Sequence, residues 1–394
     1  MLDIVQSLFK IWKDCDPRSI QFRRINIALT NKVYIVNNLK RNSRSDEPNQ
    51  ILIRLYGSSS WMLERSIEET AAIILSRKGI IPSWYGTFSN GRIEEYVDCD
   101  AISAATFRSA EVSGTLIKKL SNIHSFYEEI ISSTASRGRG ITLHPGADYL
   151  WDRLDKWAGK AAAALSTVQQ QSKWKNFRHL SKEIESLSAI IFGQDDTIKN
   201  LRQEAESLGG ANDIVFAHCD LHHANVIKLK GKPSDEYQII DYEYALPTTR
   251  AYDLSNFLWE YCSDFSGEDP AEYHSEYFPN KDMRRKLLTT YVTAAREGQS
   301  HDGDSGALKD VAATVAELDK QVLAYTPFAH LHWGHWALIK AAESEGQVHM
   351  PTETAEDSGQ KSTDEPIAFN YLKYAQQRYN EVAKFLDKHA SKCM

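Results

Sequence analysis

Residues 214–265 read IVFAHCDLHHANVIKLKGKPSDEYQIIDYEYALPTTRAYDLSNFLWEYCSDF. An apolar run, Ile214-Val215-Phe216-Ala217, leads into His218-Cys219-Asp220, and Asn225 follows five places after that aspartate. Two β-like runs come next, Asn225 to Leu229 and Tyr237 to Ile240, with Lys230-Gly231-Lys232-Pro233-Ser234 as the turn between them. The second run delivers Asp241-Tyr242-Glu243-Tyr244 at its end. The pattern predicts a β-ribbon whose open end carries an amide on one arm and a carboxylate on the other, beside a carboxylate at a loop tip.

Each residue type suits one task. A short carboxylate at a loop tip can take the proton of a hydroxyl held in line with a phosphate, which makes Asp220 the candidate base. Mg²⁺ takes hard oxygen ligands, and Asn225 and Asp241 offer them from the two arms of the ribbon. Glu243, two residues further along an extended chain, faces the same side as Asp241. A lone Asp-x-x-x-x-Asn usually shapes a surface turn. With the histidine before it, the ribbon inside it and the aspartate after a β-run, it reads as the H-x-D-x-x-x-x-N loop of phosphoryl transfer.

Three segments together resemble the choline/ethanolamine kinase family: His218-Cys219-Asp220, Ile240-Asp241-Tyr242-Glu243-Tyr244, and Arg250-Ala251-Tyr252-Asp253-Leu254-Ser255-Asn256. The Asp-Tyr-Glu-Tyr element stands where protein kinases carry Asp-Phe-Gly. The resemblance implies an α+β, bilobal protein-kinase-like fold, with a small β-rich N-lobe over residues 1–97 and a large, mostly helical C-lobe over 98–394. It further implies ATP and Mg²⁺ as cofactors, and choline or ethanolamine as the small amino alcohol that is phosphorylated.

In the N-lobe, Leu2, Val5, Phe9 and Trp12 predict an amphipathic helix over 2–13 that packs on the core or on the second subunit of a homodimer. The family's nucleotide loop often reads Gly-Gly-x-Thr-Asn; this chain keeps Thr30 and Asn31 and lacks both glycines. Lys40 to Gln50 reads as a polar loop, and Ile51 to Gly57 as a buried strand bearing Arg54. A buried guanidinium needs an anionic partner, and its fork suits phosphate oxygens. On the helix predicted over 64–78, Glu68 occupies the family's carboxylate position, with Glu64 and Glu69 as alternatives, so an Arg54–Glu68 pair is expected. A hairpin turning at Ser89-Asn90-Gly91-Arg92 follows. Its exit, Glu95 to Val97, is the expected hinge at which backbone groups meet adenine.

Beyond the hinge the period lengthens to three or four. Val112, Leu116, Leu120, Ile123 and Phe126 predict one helix ending near Ser132, with His124 as a core histidine. In the family, an acid stands at the place of Glu260 and an aromatic ring at that of Phe265. Trp333 and Trp336 lie three apart on one helix face, and stacked ring faces are the best partners of a permanent cation. Two tryptophans so spaced usually belong to a core. Their match to the family's Trp-x-x-Trp makes them, with Tyr244, an amine cage that a tyrosine of the last helix closes, Tyr374 or else Tyr371. His330, His332 and His335 lack the flanking acids of a zinc site. Residues 343–366 hold seven acids against one lysine and read as a disordered acidic loop.

The whole chain has 394 residues, 42% hydrophobic and 25% charged, a soluble globular composition. A net charge of −7 argues against nucleic-acid and anionic-membrane partners. No apolar run nears the roughly 20 residues of a membrane span, and Asp3 and Lys10 interrupt the N-terminus in a way unlike a signal peptide. Five scattered cysteines without a C-x-x-C pair fit the reducing cytoplasm. Two alternatives stand beside the amine kinase: a phosphotransferase for another small hydroxyl compound, such as an aminoglycoside, and a catalytically silent binding protein.

Overall fold

Five antiparallel strands, β1 (Ile20–Ile25), β2 (Lys32–Asn38), β3 (Gln50–Leu55), β4 (Trp84–Phe88) and β5 (Gly91–Glu95), form a sheet in the order β1-β2-β3-β5-β4. The computed structural model describes residues 2–13, 15–25, 32–39, 48–57, 62–136, 148–209, 213–231, 236–299, 311–344 and 369–393. Thr30, Asn31, most of the predicted polar loop at 40–50 and most of the acidic stretch at 343–366 lie outside these residues.

The period of two divides the sheet's faces. Ile51, Ile53 and Ile93 turn toward Val5, Phe9 and Trp12 of the N-terminal helices and form a core of their own. Leu52, Arg54, Arg92 and Glu94 face the opposite way and line a cleft. The predicted helix over 2–13 is two pieces, Leu2–Leu8 and Lys10–Lys13, which lets Phe9 and Trp12 both reach the sheet.

Below the cleft, β6 (Cys99–Ala101), β8 (Val226–Leu229) and β9 (Tyr237–Ile239) form a three-stranded sheet, and β7 (Ile214–Ala217) pairs with β10 (Leu246–Thr249). The ribbon is therefore present, shortened at both open ends, so that Asn225 and Asp241 stand just outside the ladder. Helices make up most of the remainder. The helix expected to run to Ser132 is two, Ala110–His124 and Tyr127–Ser136, parted where Ser125 and Phe126 turn the chain.

Helix Thr326–Glu343 is buried on nearly every side, as its apolar composition all round requires. It runs between helix Leu150–Gln170 and the last helix, Tyr371–Cys393. Gly334 sets its approach to the last helix, since a β-carbon there would lie 2.5 Å from the Tyr379 ring. Gly334→Ala is expected to lower stability by about 1–3 kcal/mol through overpacking, read as an earlier urea midpoint with the slope unchanged.

Candidate active site

Among the described residues, two non-glycine residues have left-handed backbone, Cys219 with φ 63° and Asp241 with φ 66°. Such strain persists only where the surroundings hold it. For Cys219 the hold is visible. The Asp253 carboxylate accepts the backbone N–H of His218 at 2.8 Å and of Cys219 at 2.7 Å, and Asn256 Nδ2 donates to the Cys219 carbonyl at 3.1 Å. Asp253 and Asn256 are three apart on helix Arg250–Trp259, so both reach the loop from one face.

His218 accepts the Asp220 N–H at Nδ1, 3.2 Å away, which leaves Nε2 to donate to the Ile240 carbonyl at 3.1 Å. The loop is thereby tied to the end of the ribbon just before Asp241. Behind Asp253, His124 Nε2 lies at 2.8 Å and Tyr291 Oη lies 2.7 Å from His124 Nδ1. His124 is buried as expected, and its contact is this aspartate.

Asn225 Nδ2 donates to Asp220 twice, to the carbonyl at 2.8 Å and to Oδ2 at 3.0 Å. With its nitrogen so committed, the Asn225 side-chain oxygen is the atom left for a cation. Burial, then the charges of Glu260, Asp241 and Glu243, push the Asp220 carboxyl well above the usual carboxylate range. The side chains singled out in the sequence therefore share one electrostatic neighbourhood.

The expected Arg54–Glu68 pair does not form. Arg54 Nη1 donates to Asp241 Oδ2 at 2.7 Å, and Glu68 instead binds Arg92 Nη1 and Arg65 Nη1, the latter at 2.6 Å. The reason lies in the sheet register. Arg54 and Arg92 are direct cross-strand neighbours of β3 and β5, so two cations meet the helix carboxylate and only Arg92 takes it. Arg92 is 2% exposed and also binds Glu94 at 2.6 Å. Burial would lower its pKa, but Glu68 and Glu94 raise it well above the ordinary value. In the sequence, Arg92 had passed for part of a turn.

Burial alone would raise the Asp241 pKa, and Arg54 with Arg92 outweighs it to leave the carboxyl below its ordinary value. Its Oδ1 is buried without a hydrogen-bond partner. The carboxylates of Asp241 and Glu243 with the Asn225 amide oxygen form a donor set that fits a hard divalent cation. Among the described residues no three His, Cys, Asp or Glu side chains already converge on one centre. The acids are instead held by arginines, with Arg65 Nη1 3.5 Å from Glu243.

A cavity of about 120 Å³ lies in the cleft between the two halves. Ala72, Ile81, Val97, Ile227 and Ile240 make its apolar part, while Arg54, Arg92 and Asp241 lie on its charged side. Val97 and Glu95 both line it, but the Glu95 carboxylate turns back to accept the Ser83 N–H at 2.9 Å and hydroxyl at 2.6 Å.

The predicted cage residues also gather. The ring of Tyr244 lies 5.2 Å from that of Trp333, and Trp333 lies 5.7 Å from Trp336. Both indole N–H groups are satisfied, Trp333 by Asn256 Oδ1 at 2.8 Å and Trp336 by the Tyr244 hydroxyl at 2.7 Å. Phe369, two residues before the last helix, joins the parts: it lies 6.4 Å from Trp336, 6.2 Å from Phe265 and 5.4 Å from Tyr374. Tyr371 lies 5.6 Å from Trp336, so both candidate tyrosines border the group.

Glu260 is 1% exposed and is bound through Oε1 by Arg378 Nη2, at 2.5 Å, while Oε2 is buried without a hydrogen-bond partner. The same guanidinium donates to the Tyr374 hydroxyl at 2.5 Å. Arg378 was also missed, for a lone arginine on an amphipathic helix normally reads as solvated. The three histidines of helix Thr326–Glu343 face different neighbours, His332 the Tyr252 hydroxyl, His335 the Tyr379 hydroxyl and His330 the Trp259 ring. Burial holds all three below the ordinary histidine pKa, His335 at about 3.

A sequence model described as choline/ethanolamine kinase matches residues 22–383. A "Probable choline kinase 3" of Arabidopsis thaliana is 25% identical over 381 residues, 96% of this chain and 90% of that protein. A "Probable ethanolamine kinase" of Nematostella vectensis is 27% identical over 376 residues, 94% of this chain and 89% of that protein. The crystal structure of a choline kinase from Cryptosporidium parvum has the same fold, with a TM-score of 0.66 at 19% identity, over 99% of this chain and 96% of that one. With the bilobal, protein-kinase-like arrangement of sheet, ribbon and helices, the match over nearly its whole length shows that the chain belongs to the choline/ethanolamine kinase family.

Proposed function

We propose that this chain transfers the γ-phosphoryl group of Mg·ATP to the hydroxyl of choline or ethanolamine. The observation that carries the reading is the position of Asp220. Asn225 binds it, its carboxyl responds to Asp241 and Glu243, and it responds as well to Glu260 beside the ring cluster. On this reading one carboxylate serves both the nucleotide cleft, through Asp241, and the aromatic enclosure, through Glu260.

Asp220 accepts the hydroxyl proton, and Asn225 fixes the orientation of its carboxylate. Asn225, Asp241 and Glu243 would hold Mg²⁺, which when bound neutralises charge on the phosphates. Arg54, on the cleft face of β3, steadies phosphate oxygens, with Glu68 anchoring the cationic wall. The backbone of Glu95 to Val97 meets adenine, and the lobes divide after Val97. Tyr244, Trp333, Trp336, Phe265 and Tyr374 surround the ammonium group, and the unbonded Oε2 of Glu260 supplies its counter-charge. Five scattered cysteines, four of them among the described residues, support a reducing, cytoplasmic setting. Among those residues no helix is long and apolar enough to cross a membrane.

The test is ADP release with choline, ethanolamine and an aminoglycoside as acceptors. Turnover with either amine is expected. Turnover with the aminoglycoside alone, or with no acceptor, overturns the reading. Within it, Trp336→Ala is expected to raise KM for the amine about 10–30-fold, the worth of one desolvated cation–π contact, with KM for ATP unchanged. Separate titrations of the two substrates check this.

A further inference from the structure

We propose that Arg65 is a phosphate-binding residue of the cleft that shields Glu243 until the nucleotide arrives. The inference rests on reading Glu243 as a metal-holding acid, and it assigns a role to a residue that neither the motifs nor the cage requires.

Two arginines, Arg54 and Arg92, line the cleft, and a third, Arg65, stands beside it on Glu68; the three are not equivalent. Arg92 is 2% exposed and committed to Glu68 and Glu94. Arg54 is 8% exposed, binds Asp241 through Nη1 and has Nε 3.7 Å from Glu94. The Arg65 side chain is 22% exposed, and its Nη1 is divided between two acids, Glu68 at 2.6 Å and Glu243 at 3.5 Å. Glu68 lies on the same helix, one turn on, whereas Glu243 lies two residues past Asp241, which lines the cleft at the end of the ribbon. Arg65 thus spans the two halves with one short bond and one long one.

Its remaining chemistry is unspent. Nε is buried and has no hydrogen-bond partner, and the guanidinium lies 4.0 Å above the Tyr56 ring, which fixes the plane of the fork without using its N–H groups. A divalent cation and a guanidinium compete for the negative charge of one carboxylate. When the cation takes Glu243, the long contact is the one lost. Glu68 and Tyr56 keep Arg65 in place, and its free donors meet a polyanion entering the cleft. Without nucleotide the same contact competes with the metal. Metal and triphosphate therefore each favour the other's binding, a coupling that works in both directions.

Direct binding measurements test this without turnover. Arg65→Met is expected to bind Mn²⁺ about tenfold more tightly than the unaltered protein when nucleotide is absent, because Glu243 is released. It is expected to bind the non-hydrolysable analogue AMP-PNP with Mg²⁺ about tenfold more weakly, with AMP affinity unchanged. Glu243→Gln supplies the reciprocal arm: in EDTA its affinity for AMP-PNP should rise, since Arg65 has lost its cross-cleft acid. Unchanged or weaker Mn²⁺ binding by Arg65→Met, or an unchanged AMP-PNP affinity in either variant, overturns the proposal. If Arg65→Met does not fold, Glu243→Gln alone decides. Amine-dependent ADP release by the unaltered protein would survive that failure, so the two readings fail separately.

Discussion

Asp220→Asn is expected to lower kcat by about 10²–10⁴-fold, the contribution of a positioned general base, while leaving the KM values for ATP and amine within a few-fold of the original. The substitution is nearly isosteric, and Asn225 can still donate to the carbonyl of residue 220. What disappears is the group that accepts the proton. The same variant should be more stable than the original at neutral pH when metal and nucleotide are absent. Burial and the neighbouring acids raise the Asp220 pKa in the folded protein, so the folded state holds that proton more tightly than the unfolded one. Its contribution to stability therefore falls as pH rises through the ordinary carboxylate pKa toward the raised one. An uncharged amide has no such dependence. Urea midpoints at pH 5 and pH 8 read the effect, and the gain of the variant should be larger at pH 8. A variant that loses turnover and stability together would show that Asp220 is structural.

Local features of the chain were readable because their causes are local. The ribbon from Val226 to Ile239 follows from a turn-rich segment between two β-branched runs, and helix Arg65–Arg77 from Ile67, Ala71, Ile74 and Leu75 on one face. The spacing of Trp333 and Trp336 gave their common face without further information. Strands β6 and β10 escaped notice because they are three and four residues long and become strands only through partners that are distant in sequence. Pro247 in β10 argued against a strand as well. The partner of Arg54 escaped for a different reason. Arg54, Arg65 and Arg92 compete there for Glu68, Glu94, Asp241 and Glu243, and the outcome depends on strand register and burial, neither of which a motif records. Arg378 is the same case at the ring cluster, where its 0% exposure turns an ordinary helix residue into the partner of Glu260 and Tyr374.

Asp253→Ala should be the most damaging change outside the cleft. The Asp253 carboxylate is 1% exposed and gathers the N–H groups of His218 and Cys219 with His124 Nε2. Removing it strands three buried donors at once. Each costs about 1–3 kcal/mol, and losing one side of a buried charged contact costs about 3–5 kcal/mol. The loop should suffer with the fold. Cys219 is held at φ 63° by these bonds, and without them the backbone can relax toward ordinary conformations and displace Asp220. A misplacement of about 1 Å is enough to reduce turnover about 10²-fold, so kcat should fall even where the variant remains folded. Acid gives the complementary measurement. Burial would raise the Asp253 pKa, but the hydrogen bond and charge of His124, with His218 and the Cys219 N–H, outweigh it and hold the carboxyl below its ordinary value. Its stabilisation is therefore complete above the unfolded carboxylate pKa, about 3.9, and is lost as pH falls below that toward the depressed one. The stability gap between the original and Asp253→Ala, read from urea midpoints, should be constant from pH 7 to pH 5 and shrink below pH 4. A gap that does not change with pH, or a folded variant with undiminished kcat, would mean that the aspartate does not hold the loop.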